Sequence, residues 1–449
     1  MKILFVHQNF PGQYKHLAPA FAQTPANTVV ALCDKANLHR ATTHENVRVI
    51  GYKTPDGASQ QTHQYIRPFE THVRRGQAVA RAGLRLREKG FVPHVICVHP
   101  GWGEGLYLRD VWPEARLIHF CEFYYHAKGS DVGFDPEFPS SVDDTFKTRT
   151  KNATQLLSLE TADWCVSPTN WQAAQYPEIL RQRMSTIHDG IDTDTVRPDP
   201  NAELTFKRDG RTLRSGDEVI TYVARNLEPY RGFHVFMRAL PEILRRRPNA
   251  EVILVGGDKV SYGHPLPAGS TYRNKMLEEV GHQLDMSRVH FLGNVPYEQY
   301  LKLLQISGVH VYLTYPFVLS WSLLEAMAAG CLVVGSDTAP VREAIAHGDN
   351  GLLVDFFATG QIADAVDRVL DHPTRMAAQR QRARQTVVDT YDLTSVCLPR
   401  HQQLIEDLAA GRAPQPHGGD AAATPVPVQG NRQRRRQAAA RNKRQVKTS

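Results

Sequence analysis

The sequence is short of the signatures that would assign it quickly. No two of its six cysteines (Cys33, Cys97, Cys121, Cys165, Cys331, Cys397) form a CxxC pair, and most lie singly in or beside apolar strands. A disulfide framework and a zinc site are both poorly supported, so free buried thiols in a reducing cytosol are expected. GxxxxGK[ST], HExxH and GxSxG are all missing. That argues against P-loop nucleotide hydrolysis, zinc proteolysis and the serine-hydrolase elbow. Gly101 and Gly103 make no GxGxxG and do not follow the first strand, so they read as turn glycines rather than a dinucleotide site. No apolar run reaches transmembrane length, and MKILFV opens directly as a strand, so neither a membrane span nor a signal peptide is expected.

Acid is missing from one place in particular. Residues 431–449 hold eight Lys or Arg and no Asp or Glu; subtracting those eight from the net +7 leaves −1 for the rest. The basic character belongs to the tail, and nucleic-acid binding is disfavoured. From residue 411 onward the chain reads first as a solvated, disordered end, with a peripheral contact of the basic tail with an anionic membrane or RNA as the sharper option.

What is present is an alternating pattern. Strands are expected at residues 2–7, 28–33, 47–52, 94–99, 116–121, 163–167 and 186–188, with helices between several, most clearly over 71–89 and 142–159. A polar, turn-rich stretch at 194–217 reads as a linker. The pattern then restarts at 219–224, 251–255, 289–292, 309–313, 332–335 and 352–355, followed by helices to about 409. At 449 residues the chain exceeds one compact core. The fold class is therefore α/β, with two doubly wound Rossmann-like domains, residues 1–193 and 218–390, plus a helix at 391–410 for which packing back on the first domain is one expectation.

Ligands of such sheets bind beyond the carboxyl ends of the strands, where strand order reverses. With order 3-2-1-4-5-6, the second domain brings the Arg225–Gly232 loop beside the Thr314–Ser322 loop. Arg225 and Arg231 offer guanidinium forks suited to phosphate oxygens, and a helix starting near Ser320 adds unpaired N–H groups. The first domain presents His7–Gln13, with Gly12, and His99–Glu104 to the same cleft.

Three segments resemble the retaining glycosyltransferases of family 4, which have the two-domain GT-B fold, over about residues 1–410. They are Ile187-His-Asp-Gly-Ile-Asp192, Val223-Ala-Arg225 through Arg231-Gly232, and Leu324-Glu-Ala-Met-Ala-Ala-Gly330 through Asp355. The resemblance implies that Arg225 and Arg231 hold a donor diphosphate and Glu325 the ribose hydroxyls. It implies that N–H groups around Ser320, Trp321, Ser322 and Leu323 meet the distal phosphate. Gly12 would keep the first loop small enough for the donor, and backbone near Gly293–Val295 would contribute to base selectivity without separating uridine from guanosine. His99 stands open between capping its strand and contacting the donor.

Two positions depart from the family pattern. Phe317 stands where a sugar-binding glutamate is usual, eight positions before Glu325, and Cys121-Glu122-Phe123 replaces a histidine at the end of strand 5. Either Glu122 has taken that polar role, or His119 or His126 has. Asp192-Thr-Asp194 matches the Asp-x-Asp metal motif in form only; its place at the domain exit marks a turn, and no metal or cofactor is expected. The activity implied is metal-independent sugar transfer from a UDP- or GDP-sugar to a glycan, lipid-linked or small acceptor, in cell-envelope or surface polysaccharide synthesis. The expected location is cytoplasmic, with contact at the membrane face left open. A sugar-nucleotide epimerase and a nucleotide-sugar binder without catalysis are the competing readings.

Overall fold

The computed structural model describes residues 1–40, 45–206 and 210–414. The reading of 411–449 as a disordered basic tail therefore falls, beyond residue 414, outside the described residues.

The first sheet has seven parallel strands: β1 (Lys2–Val6), β2 (Thr28–Asp34), β3 (Val47–Tyr52), β4 (Val95–Val98), β5 (Arg116–Phe120), β6 (Trp164–Ser167) and β7 (Met184–Thr186). Their spatial order is β3-β2-β1-β4-β5-β6-β7. A two-stranded hairpin, β8 (Glu203–Thr205) and β9 (Thr212–Arg214), follows. The second sheet holds β10 (Val219–Asn226), β11 (Glu251–Gly257), β12 (Val289–Gly293), β13 (Val309–Tyr312), β14 (Val333–Ser336) and β15 (Leu352–Val354), in order β12-β11-β10-β13-β14-β15. Strand order reverses beside β1 and beside β10, so each sheet opens a crevice at the carboxyl end of its first strand.

Continuous apolar runs explain both sheets. β4 and β13 are buried along their whole length, as parallel strands covered on both faces must be. The residues 194–217 are no bare linker: Leu204, Phe206 and Leu213 of the hairpin pack with Val219, Ile253 and Leu303 against the second sheet. Their apolar positions are too few and too short to reveal a strand pair by periodicity.

Residues 142–159 form two helices, Val142–Lys151 and Ala153–Glu160, rather than one. Asn152 interrupts them for a tertiary reason. Its side chain accepts from the Tyr125 N–H (3.1 Å) and donates to the Tyr125 carbonyl (2.8 Å), pinning the segment after β5. That segment is an arm. Phe123 is buried within the core of the second sheet, and Phe134 and Phe138 pack on the same cluster. Asp135 accepts from Tyr315 Oη (2.7 Å) and pairs with His234 (2.9 Å), both on the second half. The helix expected at 391–410 is a π turn (Leu393–Cys397) and a helix (Leu398–Ala409) whose Leu404, Ile405 and Leu408 join the core of the first sheet. The chain thus crosses between halves in both directions. Among the described residues no helix is long and apolar enough to cross a membrane, and all six cysteines are buried free thiols.

Candidate functional site

The crevice of the second sheet is organised by one cation. After β10 the chain turns through Gly232, whose φ of +69° and whose distance from Leu313 (a Cβ would stand 2.3 Å from it) exclude any side chain. The turn folds Arg231 inward, leaving 8% of it exposed. Its guanidinium donates to Thr314 Oγ1 (2.9 Å), the Val318 carbonyl (3.0 Å) and Tyr312 Oη (3.3 Å). The rings of Tyr262 and Phe317 lie 5.6 and 5.8 Å from it. Among the described residues no carboxylate pairs with Arg231. A buried cation held only by neutral acceptors is costly, and an incoming anion would offset that cost.

Glu228, fully buried, supports this arrangement and was not singled out from the sequence. It accepts from the backbone N–H groups of Ser261, Tyr262 and Gly263 at 3.1–3.2 Å, which holds Tyr262 over Arg231. A carboxylate between a strand-end Asn226-Leu227 and a proline was the available signal, but nothing in it named a partner thirty residues away.

The helix Trp321–Ala328 begins next to Arg231. Ser320 caps it, its Oγ accepting from the Ser322 N–H at 3.3 Å, and its own N–H donates to Tyr312 Oη at 2.9 Å. Tyr312 therefore ties the helix start to the guanidinium. Leu323 is wholly buried, and its N–H already donates to the Ser320 carbonyl at 3.2 Å. Glu325, one turn along, accepts from Tyr297 Oη and Tyr300 Oη, both at 2.8 Å. Glu325, Trp321 and Tyr297 line a cleft of about 360 Å³ together with Gly12, Lys15 and Asp189 from the first half. Trp321 Nε1 donates to Asp189 Oδ2 at 2.9 Å across that cleft, and burial pushes the Asp189 carboxyl up to about 7. Val295 is half-buried against the second sheet at the mouth of β12.

The first sheet supplies a cluster of rings. His99 caps a short turn, its Nδ1 accepting from the Gly101 N–H at 3.0 Å, and it stacks on Trp102 with centroids 3.9 Å apart. Its Nε2 lies 3.4 Å from Glu122 Oε2. His7 meets Trp102 edge-on at 5.0 Å; burial, then the neighbouring His99, pull its pKa down to about 3. Burial raises Glu122, but hydrogen bonding and charge from His99, with His7 and Arg231 behind, bring it net below the usual range. Gly12 has φ +47°, and a Cβ there would stand 2.6 Å from the His7 ring. Its first reason to be glycine is His7 and the left-handed turn.

Two expected residues stand apart from this group. Arg225 is exposed on β10 and holds no ion pair or hydrogen bond among the described residues, while Asn226 next to it is buried and donates to Ser261 Oγ at 2.6 Å. A register shift between Val223 and Asn226 sets this orientation, which strand alternation alone did not foretell. His126 points to the Gln175 carbonyl at 2.7 Å, a contact within the first half. His119 is fully buried with no hydrogen-bond partner among the described residues, and burial lowers its pKa to about 3. Gly103, at φ +91° with a Cβ position 2.1 Å from the His72 carbonyl oxygen, serves the turn.

Two family descriptions match successive halves of this arrangement. Residues 25–196 match "Glycosyl transferase family 4 group", and residues 205–386 match "Glycosyl transferases group 1". The chain belongs to the family 4, group 1 glycosyltransferases. A D-inositol 3-phosphate glycosyltransferase of Corynebacterium aurimucosum is 25% identical over 62% of this chain and 63% of its own length. The match thus spans under two thirds of that relative. Among solved structures, sucrose-phosphate synthase from Thermosynechococcus elongatus superposes with a TM-score of 0.70 at 18% identity, covering 91% of this chain and all of that one. Anabaena HepE, solved with UDP and glucose, gives 0.62 at 16% identity, covering 91% of this chain and all of HepE. These neighbours share the two-domain GT-B fold, and the two Rossmann-like sheets of this glycosyltransferase family member are that fold.

Proposed function

We propose that the protein transfers a sugar from a nucleoside diphosphate donor, UDP-linked or GDP-linked, to a hydroxyl of a glycan, lipid-linked or small acceptor, with retention at the anomeric carbon. The observation that carries this reading is Arg231: a buried guanidinium without a carboxylate partner among the described residues, tied through Tyr312 to the start of the Trp321–Ala328 helix. The diphosphate is the anion that this pair of positive ends accommodates. As the bond to the sugar breaks, negative charge grows on the leaving phosphate, and donors already fixed in place stabilise it without reorganising. Glu325 takes the ribose hydroxyls, having lone pairs left beyond the two tyrosine bonds. Glu122, held ionised beside His99, faces the developing positive charge of the sugar. These groups supply the charge balance without a metal.

The neighbour solved with UDP supports the choice of donor class, and the relative named for D-inositol 3-phosphate supports a small acceptor as one of the choices. The test is a thermal-shift screen of nucleoside diphosphates and their sugars, because binding to the folded state raises its melting temperature. Hits are then assayed for transfer with chelator present. One diphosphate-sugar hit with chelator-resistant transfer supports the reading. Restoration of transfer only by Mg²⁺ or Mn²⁺ contradicts it.

Phe317 favours a second reading. Its ring packs on Phe123 with centroids 4.6 Å apart, occupying the place where a sugar-binding carboxylate is usual. A nucleotide-sugar binder without turnover would show the thermal shift and no transfer to any acceptor.

A further inference from the structure

On the far side of Tyr230 and Tyr262 from Arg231 lies a second cavity of about 320 Å³, between the arm after β5 and the second half. Its lining includes Tyr65, Asp131, Lys147, Lys151, Tyr262 and Tyr272. Asp131 is 4% exposed; its Oδ2 accepts from Tyr230 Oη at 2.9 Å, whereas its Oδ1 is buried with no hydrogen-bond partner among the described residues. A buried acceptor left without a donor is expensive unless something else supplies one. The lysines are already engaged. Lys147 Nζ sits 2.7 Å from Asp143, and Lys151 Nζ lies 3.7 Å over the ring of Tyr125. Three carboxylates of the lining (Asp131, Asp135, Asp144) outnumber these two cations, so an anionic guest meets net repulsion.

We infer that this cavity binds a neutral, hydroxyl-bearing sugar ring of the acceptor. A hydroxyl donates to Asp131 Oδ1, and the tyrosine rings cover the apolar faces of the sugar. The wall of the cavity is the back of the nucleotide site: Tyr262 also lies over Arg231, and Tyr230 meets Phe317 with centroids 5.4 Å apart. The cavity therefore holds a part of the acceptor next to, not at, the transfer point. It selects uncharged glycans against phosphorylated sugars. This assignment rests on the transferase reading for the word acceptor, but the binding itself needs no nucleotide.

The test uses the full chain without nucleotide, titrated with methyl glucoside, methyl mannoside and maltose, and separately with glucose 6-phosphate and inositol 1-phosphate. Binding is read by saturation-transfer NMR up to tens of millimolar. At least one neutral glycoside is expected to bind more tightly than either phosphate, and both Asp131→Asn and Tyr65→Ala to weaken it about ten-fold. Three outcomes overturn the inference: no neutral glycoside binding, tighter binding of a phosphorylated sugar, or affinity unchanged in both variants. UDP titrated into the same samples reads the nucleotide site separately. Glycan binding without UDP binding leaves this cavity assigned and sinks the transferase reading; the reverse does the opposite.

Discussion

The two crevices are built alike by topology and oppositely by charge. Each lies at the carboxyl end of a first strand where the order reverses. The second is centred on Arg231, which stays charged at any working pH and has only neutral partners. The first is lined by His7 and His99 with Trp102, and burial keeps His7 neutral. On the proposed reading the difference divides the work: the permanent cation would grip phosphate, while Glu122 would face the positive charge that grows on the sugar.

The comparison is broken most severely at Arg231. Arg231→Ala should lower kcat/KM for transfer by about 10²–10³-fold, with Arg231→Lys recovering part of the loss because it restores charge but not the fork. Unchanged steady-state kinetics with a pure sugar-nucleotide donor would remove Arg231 from the site. Glu325→Gln comes next. It should weaken UDP about ten-fold or more, since a hydrogen bond to a charged group contributes about 1.5–3 kcal/mol, while pyrophosphate affinity stays the same. Calorimetric titration of the two ligands checks this; equal losses for both would move Glu325 off the ribose.

The first half has its own signature in pH. His7 and His119 hold folded pKa values near 3 against 6.5 unfolded. Below pH 6.5 the unfolded chain binds protons that the folded one refuses, so stability falls as pH drops from 6.5 toward 3. Each such group contributes a slope of up to about 1.4 kcal/mol per pH unit. Melting temperatures at pH 7, 6 and 5 should fall less steeply in His119→Leu than in the wild type. Parallel profiles would show that His119 is not the cause. The smallest effect is at Asp189, whose carboxyl is raised to about 7 from 3.8. Its stabilising share is present below 3.8 and lost as pH rises through 7. Asp189→Asn should thus melt higher than the wild type at pH 8 and no higher at pH 4; a lower melting point at pH 8 contradicts this.

Much of the fold was legible because parallel strands buried on both faces are written as apolar runs, and their alternation with helices implied parallel pairing. The seventh strand was expected at 186–188 and lies at Met184–Thr186, since three residues carry too little pattern to mark a register. The helix break at Asn152 was invisible, because its cause is a pair of hydrogen bonds to Tyr125 twenty-seven residues earlier. At the site, Arg231 and Glu325 were readable from the loops and helix that carry them. The exposed setting of Arg225 was not legible, because a register shift between Val223 and Asn226 sets its orientation. Glu228 and Asp131 were missed for one shared reason: a carboxylate in a loop reads as solvated until its buried partners are seen.

The central claim is that Arg231 recognises the β-phosphate end of a nucleoside diphosphate. It is tested most directly by the ratio of UDP to UMP affinity in the wild type and in Arg231→Met. UDP is predicted to bind at least ten-fold more tightly than UMP to the wild type, with the ratio collapsing toward one in the variant. A ratio that survives the substitution would place the diphosphate elsewhere and contradict the account.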